Sequence, residues 1–214
     1  MSSPQSTPPP PPAVSEDAAS AVSAFNRGMA VVSPKVEGTV LRIALVATTL
    51  VLVWVILILL RGGDVPRPLT LSLIGLIGCQ VVAYLWWIRR MHDNATQLLG
   101  GPLIPGRNLA VFGHFIPVFN YYIFFAVFNL LHKPVAQMGK KSVALPLFFS
   151  AVGIVFGMSI VIRLLRVSGG EDFAGGAALV SLGAIITANM MLIPLSLQLS
   201  AWYRERAEQL MAEE

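Results

Sequence analysis

The stretch Leu109-Ala-Val-Phe-Gly-His-Phe-Ile-Pro-Val-Phe-Asn-Tyr-Tyr-Ile-Phe-Phe-Ala-Val-Phe-Asn-Leu-Leu131 decides how this chain is threaded. At 1.5 Å per helical residue it is long enough to cross the hydrocarbon layer of a bilayer, about 30 Å thick. Its contents argue against a straight crossing. Pro117 removes a backbone donor and clashes with the preceding turn. His114, Asn120, Tyr121, Tyr122 and Asn129 place polar groups along it, and the crowd of Phe and Tyr rings suits interfacial depth.

Four other runs are apolar over a full membrane thickness: residues 41–60, 69–88, 143–162 and 177–199. None contains Asp, Glu or Lys, and the single charge, Arg42, sits one residue inside its run, where it can snorkel to the headgroups. Each reads as a transmembrane helix.

The cations choose between the two threadings. With 109–131 as a fifth span, Lys and Arg divide eight against seven across the membrane, which orients nothing. If the segment instead returns to its own side, residues 89–142 form one large loop, and eleven cations share the side of both termini. Only Arg61, Arg67, Arg163 and Arg166 remain opposite. Cytoplasmic loops collect Lys and Arg. The expected fold is therefore an all-α membrane protein with four transmembrane helices plus a proline-broken, re-entrant or interfacial helical segment at 109–131. Both termini are expected in the cytoplasm. Trp86, Trp87, Trp202 and Tyr203 fall at the cytoplasmic ends of their spans, where aromatic belts form.

Composition agrees. Of 214 residues, 55% are apolar and 12% charged, and the mean hydropathy is +0.71. Ordinary soluble domains carry about 25% charged residues, so a soluble enzyme and a disordered chain are both excluded. The net charge of +4 comes from cations scattered in ones and twos beside apolar runs, which points to membrane topology and away from nucleic acid. The lone thiol, Cys79, excludes an internal disulfide and a multi-cysteine metal site.

Three regions follow. Residues 1–38 are rich in Pro, Ser and Ala, with unbroken proline from Pro8 to Pro12. They read as a disordered cytoplasmic tail without a signal-peptide core, so the first hydrophobic helix must direct insertion. Residues 39–203 form the membrane domain. Residues 204–214 read as a polar, fraying cytoplasmic helical tail, since Glu213 and Glu214 oppose the helix dipole.

The segment Tyr84-Leu-Trp-Trp-Ile-Arg-Arg-Met-His-Asp-Asn94, followed by Ile104-Pro-Gly106 and Phe115-Ile-Pro-Val-Phe-Asn120, resembles a bacterial membrane family known as domain of unknown function 4328. Trp87, Arg89 or Arg90, Asn94, Pro105, Gly106, Pro117 and Asn120 match its pattern. The family's tryptophan between Pro-Gly and Ile-Pro is replaced here by Arg107, Phe112, His114 and Phe115. Its second proline after the Asn gives way to Tyr121-Tyr122-Ile123-Phe124. The resemblance implies a multi-pass bacterial membrane protein and no particular activity.

Catalytic patterns were sought in vain. No carboxylate lies inside a span, neither His-Glu-x-x-His nor Gly-x-Ser-x-Gly occurs, and His92, His114 and His132 stand 22 and 18 residues apart. No catalytic, cofactor or metal residues are assigned, and a non-enzyme is expected. One polar cluster in an apolar setting stands out: His114, Pro117, Asn120, Tyr121 and Tyr122. It lines either a small site in a broken helix or simply the headgroup layer. Arg89, Arg90, Lys133, Lys140 and Lys141 are candidate contacts for anionic lipid headgroups. Gly153-x-x-x-Gly157 is helix-packing material, either between the last two spans or towards a second copy. Gln80 and Asn189, lone polar groups in mid-span, are expected to bond each other or a backbone carbonyl.

The sequence thus points to a multi-pass protein of the cell inner membrane acting through lipid, a second copy or another membrane protein, as an interaction or scaffold protein. The alternative is a small transporter or channel subunit with its site near 109–131.

Overall fold

The computed structural model describes residues 35–115, 119–167 and 171–212, with Ser20, Val22, Ser23, Asn26, Val31 and Pro34 ahead of them. Most of the 1–38 tail, Pro117, Glu213 and Glu214 lie outside the described residues. The helices are α1 (Lys35–Leu60), α2 (Arg67–Leu99), α3 (Arg107–Phe112), α4 (Phe119–Ala136), α5 (Ala144–Val167) and α6 (Glu171–Ala212), with a 3₁₀ turn at Gly113–Phe115. Among the described residues no strand occurs, and four helices, α1, α2, α5 and α6, are long and apolar enough to span a membrane. This is an all-α membrane protein.

Local chemistry sets the helix ends. Pro66 caps α2 and Pro68 occupies its first turn, where a missing donor costs nothing. Gly100 ends it at φ 71°, its N–H reaching the Thr96 and Gln97 carbonyls, a backbone conformation that favours glycine. At 33 and 42 residues, α2 and α6 run about 50 Å and 63 Å, well beyond the hydrocarbon thickness. Both overshoot at the same end of the bundle.

That end holds the core. Leu41 and Leu45 of α1, Trp87, Ile88 and Met91 of α2, Ile123, Val127, Phe128 and Leu131 of α4, Phe148 of α5, and Leu195, Leu199 and Tyr203 of α6 form one buried cluster. Towards the other end, large apolar side chains face outward, among them Leu50, Trp54, Leu60, Leu71, Ile74 and Leu164. Water would penalise such a surface; lipid does not.

Residues 100–115 and 119–136 form the two arms of a hairpin. Arg107, opening α3, lies 3.6 Å from Asp93 of α2, and His114 lies 3.1 Å from the Tyr84 hydroxyl. The chain therefore descends along α2 by about nine residues, some 13 Å, to four residues inside the end of its apolar run. Then α4 returns: Phe128 packs on Tyr84 and Trp87, the Leu131 carbonyl accepts from the Tyr203 hydroxyl at 2.7 Å, and Lys140 pairs with Glu205. Entry and exit share one end of the bundle, as the cation count requires. Pro117, where the sequence places the break, lies outside the described residues.

Three expectations are corrected. Trp87 and Tyr203 are not belt residues: both are fully buried, because the hairpin covers the faces that would otherwise meet headgroups. The 204–212 segment is not polar all round, since Ala207 and Leu210 continue the buried stripe of Tyr203. Gly153 and Gly157 do not join the last two spans; a Cβ on either would meet nothing within 4 Å, so α5 turns these glycines away from α6.

Candidate functional site

The hairpin tip is built from rings. His114 stands edge-on to Tyr84 at 5.5 Å and to Phe124 at 6.1 Å, and Phe124 packs on Phe148 at 5.3 Å. Phe128 joins the same stack 5.0 Å from Phe148. Such edge and offset geometries match the electron-rich faces of the rings to their positive edges. Gly113 makes the tight fit possible, as a Cβ there would lie 2.9 Å from Ile123 Cγ1. Burial holds the His114 imidazole below its usual range, only partly opposed by the Val111 and Ala110 carbonyls. Its Nδ1 faces them without a well-formed hydrogen bond. Its Nε2 lies on the Tyr84 hydroxyl at 3.1 Å.

Of the polar cluster read from the sequence, His114 is placed in this packing. Tyr122 is 68% exposed. Only the backbone of Asn120 and Tyr121, in α4, is described, and Pro117 is not described. Tyr84 and Phe148, which close the tip, escaped the sequence reading because they come from other spans. Tyr84, Trp87 and Met91 do stand at helical spacing across the end of the apolar run, which signals a covered face there.

At the mouth of the hairpin, His92 donates from Nε2 to the Pro105 carbonyl at 2.9 Å and so pins the 100–106 loop to α2. A cavity of about 510 Å³ lies beside it, lined by His92, Asp93, Thr96, Gln97, Gly106 and Arg107. A second, of about 280 Å³, is lined by Trp86, Arg89, Arg90 and Asp93.

The five cations that the sequence offers for headgroup contact divide. Arg90 donates from Nε to the buried Glu37 carboxylate at 2.9 Å, and Lys140 is held by Glu205, so their charge is committed within the protein. Arg89, Lys133 and Lys141 are exposed. In mid-span, Gln80 Nε2 donates to Asn189 Oδ1 at 3.0 Å, and Asn189 Nδ2 donates to Thr49 Oγ1 at 3.3 Å. Gln80 and Asn189 bond each other as the sequence predicts, and the link ties α2, α6 and α1 together.

Among the described residues no three His, Cys, Asp or Glu side chains gather as metal ligands. No protein-family model matches the chain, and neither a curated protein nor a solved structure matches it significantly.

Proposed function

We propose that the chain is a non-enzymatic interaction or scaffold protein of the cell inner membrane, with both termini and the 100–136 hairpin on the cytoplasmic face. The observation that carries this reading is the filled hairpin. His114 is enclosed by Tyr84 and Phe124, and the Leu131 carbonyl is taken by Tyr203, so the segment supports a wedge between helices better than a gate. The exposed Leu109, Phe112 and Tyr122, with the exposed Lys133 further along α4, offer apolar and basic surface for a protein partner or anionic headgroups. The open face at Gly153 and Gly157 suits a second copy. Orientation rests on the cations: Arg89, Arg107, Lys133, Lys140 and Arg204 lie at the hairpin end, and Arg61, Arg67 and Arg163 at the other. The likeness of residues 84–120 to domain of unknown function 4328 supports a bacterial inner membrane.

Single cysteines at Arg107, His114 and Lys133, in a Cys79→Ser background, test the reading. Positions 107 and 133 should resist an impermeant thiol reagent in intact cells and react in inverted vesicles, while 114 reacts from neither side. Labelling of position 114 from both sides would favour the transporter or channel alternative.

A further inference from the structure

One face of α2 joins an apolar groove to a polar pocket. Gly75, Cys79, Val82, Trp86, Arg89 and Asp93 recur every three or four residues and so share a helix face. At one end of that face a groove of about 490 Å³ is lined by Gly75, Gly78, Cys79, Val82 and Trp86 with Val40 of α1. It exists because Gly75 and Gly78 lack side chains: a Cβ at either would meet nothing within 4 Å. Beyond Trp86 the face opens into the 280 Å³ pocket of Arg89, Arg90 and Asp93. Trp86, 46% exposed, is common to both.

Dimensions and charge identify the occupant. From Gly75 to Trp86 is about 16 Å of helix, close to half of the 30 Å hydrocarbon layer, which is the reach of an acyl chain in one leaflet. In the pocket, Arg90 is paired with Glu37, and Asp93 lies 3.6 Å from Arg107. Arg89 has no ion pair among the described residues, so one net positive charge faces the headgroup layer. A phosphodiester carries one negative charge. We infer that this face of α2 seats a single glycerophospholipid, its phosphodiester on Arg89 and one acyl chain in the groove over Gly75 and Gly78. The inference rests on this end of the bundle lying at headgroup depth, and holds whichever side of the membrane that end faces.

Native mass spectrometry of the full chain in mild detergent, titrated with phosphatidylglycerol, phosphatidylethanolamine or diacylglycerol, tests it. Both phospholipids should give a first adduct at low concentration, and diacylglycerol should not. Arg89→Ala should weaken that adduct about fivefold, the equivalent of about 1 kcal/mol for one interfacial cation. Gly75→Leu with Gly78→Leu should weaken it as well, and Lys141→Ala should leave it unchanged. Equal losses for Arg89→Ala and Lys141→Ala, binding of diacylglycerol as strong as that of the phospholipids, or retention by the leucine variant would each overturn the site. Gly153→Leu, on an equally open helix face, controls for the effect of leucine on folding. Binding in detergent is independent of orientation, so this test and the cysteine-labelling test fail separately.

Discussion

Replacing Asn189 by Leu should destabilise the bundle by about 1–3 kcal/mol. Asn189 is 4% exposed and bridges two helices, accepting from Gln80 at 3.0 Å and donating to Thr49 at 3.3 Å. Hydrogen bonds between membrane helices average about 0.6 kcal/mol and reach about 1.7, so losing both gives roughly 1–3. The upper part of the range is favoured because Gln80 Oε1 already lacks a partner, and the substitution strands the rest of its amide. Leu has the branching of Asn and is no smaller, so no cavity forms. The double variant Gln80→Leu with Asn189→Leu removes both members of the pair and should recover much of the loss, since replacing both partners by apolar groups is nearly neutral. Unfolding in detergent, followed by helicity through a denaturant titration, gives the cycle. A coupling energy near 1 kcal/mol is expected. Additive single effects, with coupling below about 0.3 kcal/mol, would refute the bridge.

Gly113→Ala should cost about 1–3 kcal/mol by overpacking against the buried Ile123, whereas Gly153→Ala should be neutral or stabilising; equal melting temperatures for the two variants would contradict the packing described. Tyr203→Phe should cost about 1 kcal/mol as the Leu131 carbonyl loses its donor, read as a lowered unfolding midpoint with unchanged helicity. Burial, the larger effect at both residues, holds His114 and His132 below the usual imidazole value of about 6.5. The unfolded chain therefore takes up protons first, and stability should fall as pH drops through 6.5. Melting at pH 7.5 and 5.5 checks this, and His114→Gln with His132→Gln should flatten the difference; an unchanged slope in that variant would assign the effect elsewhere.

The membrane spans were legible because bilayer thickness imposes a length and lipid excludes charge, two constraints that act on contiguous sequence. The return of the hairpin was legible from charge, since Arg107 and Lys133 had to share a side. What stayed hidden was who meets whom. Trp87 and Tyr203 look like belt residues until α4 is laid across them, and nothing local to either position announces that cover. Gly153 and Gly157 have packing spacing, yet spacing fixes a face without saying where it points. The overlooked signal was the apolar period running past the spans. Tyr203, Ala207 and Leu210 sit three and four residues apart among Arg204, Glu205, Arg206 and Glu208, a pattern that demands a buried partner. The Glu37–Arg90 pair was equally invisible, because it joins residues 53 positions apart.

The lopsided core follows from where water begins. Inside the hydrocarbon, apolar side chains gain nothing by leaving lipid for protein, so the far halves of α1, α2 and α5 can expose Leu50, Ile74 and Leu164 and stay thinly packed. Where α2 and α6 leave the hydrocarbon, the same side chains meet headgroups and water, and the hydrophobic effect returns at about 25 cal/mol per Å². Met91, Ala95 and Leu98 on one helix and Ala207 and Leu210 on the other then need a cover. The hairpin is that cover, which explains why α4 buries Ile123, Val127, Leu131 and Val135 along one side while Tyr122, Asn129 and Lys133 stay exposed. A segment whose apolar face is consumed in holding two helices together has little left to line a pathway. Opening the hairpin would expose all of these side chains to water at once, which is the physical ground for the proposed interaction role over a gate.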